Sequence, residues 1–227
     1  MSLIIHFPEQ KICYFAIPKA GNTTVKRFLS PLITGEEPRD HTNIHRELDW
    51  NTINHRTYDS LDLTGYLTFT VVRNPWERIF SAYKDKVVRR LHAPLEKAGL
   101  SADASLLDFA EFCASRDDES LDVHLRPQSW FIKAEQRFLR KPTALPDHVI
   151  DINDMPRVAT LVRSHVPDFE YDPIGKTNEN KTVTKPIVDF LSSDPKLAAK
   201  QMRQFNSIVA KRYADDVALF GYRSPYR

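Results

Sequence analysis

Residues 12 to 17 read Ile-Cys-Tyr-Phe-Ala-Ile, a short apolar and aromatic run that predicts a strand buried on both faces. Pro18 stops it, and the loop Lys19-Ala20-Gly21-Asn22 follows. Val25, Phe28, Leu29 and Leu32 then recur at i, i+3, i+4 and i+7, which predicts a helix with one buried side. Asn22 or Thr23 is placed to cap it. The same order of strand, tight turn and helix returns over residues 66 to 88. Tyr66 to Val72 is rich in β-branched and aromatic residues, the composition of a second buried strand. Arg73 stands at its carboxyl end. Asn74 reads as an N-cap, with Pro75 at the first helical position and Glu77 at capping-box spacing. Trp76, Ile79, Phe80, Tyr83 and Val87 supply the apolar stripe, while Arg78, Ser81 and Asp85 lie on another face.

Further along, a helix is predicted from Ser105 to Ala114 and a third strand through His148-Val149-Ile150-Asp151. A helix follows near Pro156 to His165, and a last long one spans Pro195 to Phe220. Strands alternating with helices predict an α/β fold with a central parallel sheet flanked by helices. Ligands of such sheets bind beyond the carboxyl ends of the strands, where both polar turns fall.

Composition narrows the picture. At 227 residues the chain is expected to form one domain, residues 1–227, against about 150 for a typical one. Lys and Arg total 32 against 30 acidic residues, a net charge of only +2. That field is too weak for general nucleic-acid binding, so any anion site must be local. No basic stretch precedes an apolar run near Met1, and no apolar run approaches the ~18 residues of a spanning helix. Cys13 and Cys113 are the only cysteines, too few for a disulfide framework or a four-thiolate metal site. A protein of the reducing cytoplasm, without membrane or nucleic-acid partners, is expected. The six glycines are too scattered for a dinucleotide fingerprint or a Walker A loop.

Two stretches carry chemistry. At Lys19 to Thr24 a strand feeds a helix whose first N–H groups point outward beside a lysine and two hydroxyls. That is an anion cradle, although an ordinary capped βα turn has the same ingredients. Arg73 offers a rigid fork for phosphate oxygens and Ser81, eight residues on, a hydroxyl donor. Alternatively, Arg73 pairs with a surface carboxylate and Ser81 packs.

The stretch from Cys13 to Thr24 resembles the 5′-phosphosulfate loop of sulfotransferases that use 3′-phosphoadenosine 5′-phosphosulfate (PAPS). Phe69 to Tyr83 resembles their 3′-phosphate segment, including the Arg-to-Ser spacing. His124-Leu125-Arg126-Pro127-Gln128 and Tyr213 to Tyr222 are similar to segments of the carbohydrate branch, which includes the chondroitin and 2-O-sulfotransferases. The resemblance implies a P-loop-like fold without the Walker sequence. It also implies Lys19 at the bridging oxygen, Ala20, Gly21, Asn22, Thr23 and Thr24 around the 5′-phosphate, and Arg73 with Ser81 at the 3′-phosphate. PAPS would be the co-substrate, with no metal, and the acceptor a hydroxyl, that of a carbohydrate by likeness to that branch.

In-line sulfuryl transfer needs positioning, charge stabilisation and a base, and histidine is the default base near neutral pH. His41, His45, His55 and His124 are the candidates. His55 is similarly placed to the base of the 2-O-sulfotransferases, and His124 beside Arg126 is the second choice. Lys176, Asn178, Asn180 and Lys181 form a polar stretch that either covers the nucleotide or is a solvated loop. Trp130 and Phe131 either stack on a sugar or pack. The rival reading is a nucleotide- or phosphate-binding module without transfer activity.

Overall fold

A computed structural model describes residues 4–39, 43–133, 145–171 and 186–226 of the chain. His41, Lys176, Asn178, Asn180 and Lys181 lie outside the described residues. Along the chain come β1 (Ile4–Phe7), β2 (Ile12–Phe15), α1 (Asn22–Leu29), α2 (Pro31–Thr34), β3 (Thr52–Ile53), α3 (His55–Asp59), β4 (Leu67–Val72) and α4 (Pro75–Tyr83). After a π-helical turn at Lys84–Val88 follow α5 (Ala93–Lys97), α6 (Leu106–Ala114), α7 (Gln128–Lys133), β5 (His148–Asp151), α8 (Met155–His165), α9 (Pro195–Arg212) and α10 (Ala214–Phe220). These elements group into two compact units, one from residues 1–72 and 131–178, the other from 73–130 and 179–227. Among the described residues no helix is long and apolar enough to cross a membrane.

The first unit holds a five-stranded sheet in the order β3-β1-β2-β4-β5. β2, β4 and β5 are parallel, as the sequence predicts, but β1 runs antiparallel to both its neighbours, so the sheet is mixed. β1 is absent from the sequence-based expectation, which starts its first strand at Ile12. It joins β2 through a tight hairpin in which Lys11 takes a left-handed φ of 51° and donates to the Pro8 carbonyl. Period-two alternation gives the sheet two apolar faces. Ile5, Phe7, Ile12, Tyr14, Phe69, Val71 and Ile150 pack in one cluster with Val25, Phe28 and Leu29 of α1 and Val158, Ala159 and Val162 of α8. Tyr14 and Phe69 are register partners whose rings stack at 5.0 Å. On the other face Ile4, Cys13 and Phe15 meet Tyr58 of α3.

The second unit is helical, with one cluster that joins Trp76, Ile79, Phe80 and Tyr83 of α4 to Phe109 of α6 and Phe205 and Val209 of α9. The long terminal helix expected from Pro195 to Phe220 is two helices, broken at Tyr213, where φ is −111° and ψ 33°. Tyr213 is fully buried and donates its hydroxyl to the Leu125 carbonyl at 2.8 Å, an anchor that fixes the break.

Candidate functional site

Because β3 and β2 both run antiparallel to β1, β3 is parallel to β2, β4 and β5, and these four strands end at one edge of the sheet. At that edge Ile17 to Ala20 form a turn closed by Ala20 N–H donating to the Ile17 carbonyl at 3.4 Å. Pro18 presets the second position, and Lys19 in the third has φ 65°, the pattern of a type II turn. A lysine there carries backbone strain that glycine would not. Gly21 follows at φ 76° and is the N-cap of α1, so the cap is neither Asn22 nor Thr23. No side chain caps the helix and no acidic residue stands in its first turn. The first intrahelical bond runs from Val25 N–H to the Gly21 carbonyl, which leaves the preceding N–H groups without helical partners. Ile152 and Met155 lie over the turn, 3.5 Å from where a Gly21 Cβ would stand.

Lys19 is half-buried, Ala20 is buried and offers only backbone, and Thr23 is exposed. Tyr14 reaches Asn22 Oδ1 through a long 3.5 Å contact, and burial pushes the Tyr14 phenol pKa far up. His45 Nε2 lies 2.9 Å from Thr23 Oγ1, which places this histidine beside the loop.

Arg73 and Ser81 belong to the second unit. Asn74 caps α4 through its side chain, which accepts from Trp76 N–H at 3.1 Å, and Pro75 starts the helix. Glu77 pairs with Arg73 instead of closing a capping box, with Nε to Oε2 at 3.7 Å. Glu77 and Ser81 stand four residues apart on one face of α4, and the ion pair brings the Arg73 side chain, from outside the helix, to Glu77 on that face. The Gln128 side chain holds the Arg73 backbone: Oε1 accepts from Arg73 N–H at 2.8 Å and Nε2 donates to the Arg73 carbonyl at 2.7 Å. A model of the sulfotransferase family matches residues 2–223. The chain belongs to the sulfotransferase family.

No curated protein and no solved structure gives a significant match. Membership makes the protein a transferase of sulfuryl groups to a hydroxyl-bearing acceptor, on the α/β fold described above. His55 and His124, the two histidines expected as base candidates, sit in structurally distinct settings. His55 begins α3 just past β3, at the same sheet edge as the Lys19 turn, and is 7% exposed. Its Nε2 meets the Phe131 carbonyl at 2.9 Å. A carbonyl only accepts, so Nε2 bears the proton and Nδ1 is the basic nitrogen.

In the second unit, His124 is half-buried and its Nδ1 lies 2.7 Å from Asp122 Oδ1. Burial would raise the Asp122 carboxyl, but hydrogen bonds from the His124 ring and backbone N–H outweigh it and hold the pKa at about 2. His92 stands beside this pair, its ring edge-on to His124 at 6.4 Å and its Nδ1 3.6 Å from Asp122 Oδ2. Among the described residues no group of three or more His, Cys, Asp or Glu is placed to hold a metal ion. Phe131 packs, at 3% exposure, and the Arg126 guanidinium lies over the Trp130 ring at 4.4 Å. Sequence reasoning missed Asp122 and the role of Gln128. The only signal for either was proximity to a family-like segment, since their partners are set by folding.

Proposed function

We propose that this sulfotransferase moves the sulfuryl group of PAPS to a hydroxyl, that of a carbohydrate, by in-line displacement. The observation that carries the reading is the α1 N-terminus. Left-handed Lys19 and Gly21 turn the chain so that a helix start with no side-chain cap and no acidic residue in its first turn faces the edge where ligands of such sheets bind. In this reading the N–H groups from Asn22 to Thr24 take the 5′-phosphate. Lys19 stabilises charge on the bridging oxygen as the sulfur–oxygen bond breaks and its electron pair stays with the phosphate. Arg73 and Ser81 take the 3′-phosphate. The acceptor oxygen attacks sulfur while its proton passes to His55 Nδ1.

The carbohydrate acceptor rests on the likeness of the His124–Gln128 and Tyr213–Tyr222 segments to that branch. The reading draws on residues of both units, so it takes the whole chain, residues 1–227, as one functional domain. A second assignment of the base has its own support. His124 is more exposed than His55, and Asp122 orients its ring as a carboxylate orients a catalytic imidazole, with Nε2 left to accept.

Calorimetry and turnover together test the proposal. Adenosine 3′,5′-bisphosphate (PAP) should bind at least about 10-fold more tightly than AMP, the contribution expected of a charge-assisted contact to the 3′-phosphate. Equal affinities would overturn the PAPS assignment. His55→Ala should keep PAP affinity and lose roughly 10²–10⁴-fold in rate. Normal turnover by His55→Ala, with His124→Ala inactive yet still binding PAP, would move the base to His124. PAP binding without transfer to any sugar hydroxyl would leave a binding module.

A further inference from the structure

Arg73 occupies an awkward backbone position. The β4–β5 pairing ends at Val72, and α4 begins at Pro75, so neither ladder nor helix satisfies the Arg73 N–H and carbonyl. One side chain from 55 residues away meets both. The Gln128 amide pairs with the Arg73 backbone as a neighbouring strand would, at 2.8 Å and 2.7 Å. Gln128 is fully buried and is itself anchored. Its own N–H donates to Asp216 Oδ2 at 2.8 Å, and the next N–H, of Ser129, donates to Asp216 Oδ1 at 2.7 Å. Asp216, with no exposed surface, thus caps α7 with one carboxylate and fixes the residue that fixes Arg73. Nearby, Arg78 Nη1 donates to the Arg126 carbonyl at 2.8 Å, which ties the same segment back to α4.

We propose that Gln128 is a positioning residue that sets Arg73 for 3′-phosphate recognition, held in place by Asp216. The proposal rests on the reading of Arg73 as the 3′-phosphate ligand. The physical reason is leverage. An arginine reaches an anion through a long side chain, so a small rotation of its backbone displaces the guanidinium by ångströms, and bidentate contacts do not survive that. A two-bond clamp on the peptide groups either side of Cα removes the rotation. The C-terminal helix α10 thereby takes part in nucleotide selectivity although its Asp216 carboxylate is entirely buried.

The test compares PAP with AMP, which lacks the 3′-phosphate, by calorimetry on the full chain. Gln128→Met keeps the side-chain length and deletes both bonds. It should weaken PAP about 3- to 10-fold and leave AMP unchanged. Arg73→Ala should reduce the PAP preference at least as far, and adding Gln128→Met to it should cost nothing more. Should Gln128→Met be recovered unfolded, Gln128→Glu carries the same comparison, since it keeps the volume and the bond from Arg73 N–H but turns an acceptor towards the Arg73 carbonyl. Equal weakening of PAP and AMP, or an unchanged preference, in the folded Gln128 variant overturns the proposal and leaves the Arg73 assignment standing. An Arg73→Ala variant that keeps the PAP preference overturns both.

Discussion

Two turns lead from a strand into a helix and carry the side chains we assign to anion binding, yet they are built on opposite principles. In the turn between β2 and α1, Lys19 and Gly21 adopt left-handed conformations, no side chain caps the helix, and no acid stands in its first turn. In the proposed function its backbone donors serve the nucleotide. In the turn after β4, Asn74 caps, Pro75 removes an N–H, and Glu77 places a carboxylate near the helix start. That helix start is capped by its own chain, and in the proposed function anion recognition passes to Arg73 and Ser81. A backbone cradle is strained and costly to alter, whereas a side-chain fork is modular and is set from outside, here by Gln128. The same sequence pattern of strand, polar turn and helix thus hides two kinds of site.

The largest effect should separate the two turns by kinetic type. Lys19→Ala is expected to lower turnover at saturating PAPS about 10²–10³-fold, as the loss of a group acting on transition-state charge does. Arg73→Ala should raise the Michaelis constant for PAPS at least about 10-fold with turnover nearly intact. If steady-state kinetics find Arg73→Ala as slow at saturation as Lys19→Ala, the division into chemistry and binding is wrong. Stability comes next. Gly21→Ala forces a side chain into the left-handed region at a cost of about 1–2 kcal/mol and should weaken AMP and PAP alike. Asn74→Ala should lose about 1 kcal/mol with its cap. Urea titration measures both, and a Gly21→Ala protein as stable as the parent would refute the strained cradle. The smallest effect concerns Glu77. Glu77→Gln removes a charge that competes for Arg73, so PAP should bind a few-fold more tightly at low salt, with the gain shrinking as salt is added. Tighter AMP binding by the same factor would show that Glu77 acts on the whole field, not on Arg73.

Most of the scaffold could be read before folding. The apolar run from Ile12 to Ile17, the β-branched stretch from Tyr66 to Val72 and the Asn74-Pro75 helix start all depend on neighbours in sequence; the strands form there as Ile12–Phe15 and Leu67–Val72, and the helix starts at Pro75. The sulfotransferase resemblance, carried by the Lys19 and Arg73 stretches, points to the family whose model matches the chain. What escaped was either too short or too distant. β3 has two residues, and no periodicity fits in two. The helix cap is Gly21 and not Asn22 or Thr23, because a left-handed glycine ends the turn sooner. Gln128 and Asp216 stand 88 residues apart, and only the folded chain makes one a support for the other.

The positive φ of Lys19 has a consequence for anyone who would make this protein tougher. Directed evolution for heat resistance rewards relief of strain wherever it is stored, and replacing a left-handed lysine by glycine is among the simplest ways to relieve it. Such a screen, blind to turnover, would drift towards a sturdier protein stripped of the ammonium group assigned to the reaction. If Lys19 acts as proposed, robustness and catalytic power compete at this one position, and selections on the protein must score activity at every round.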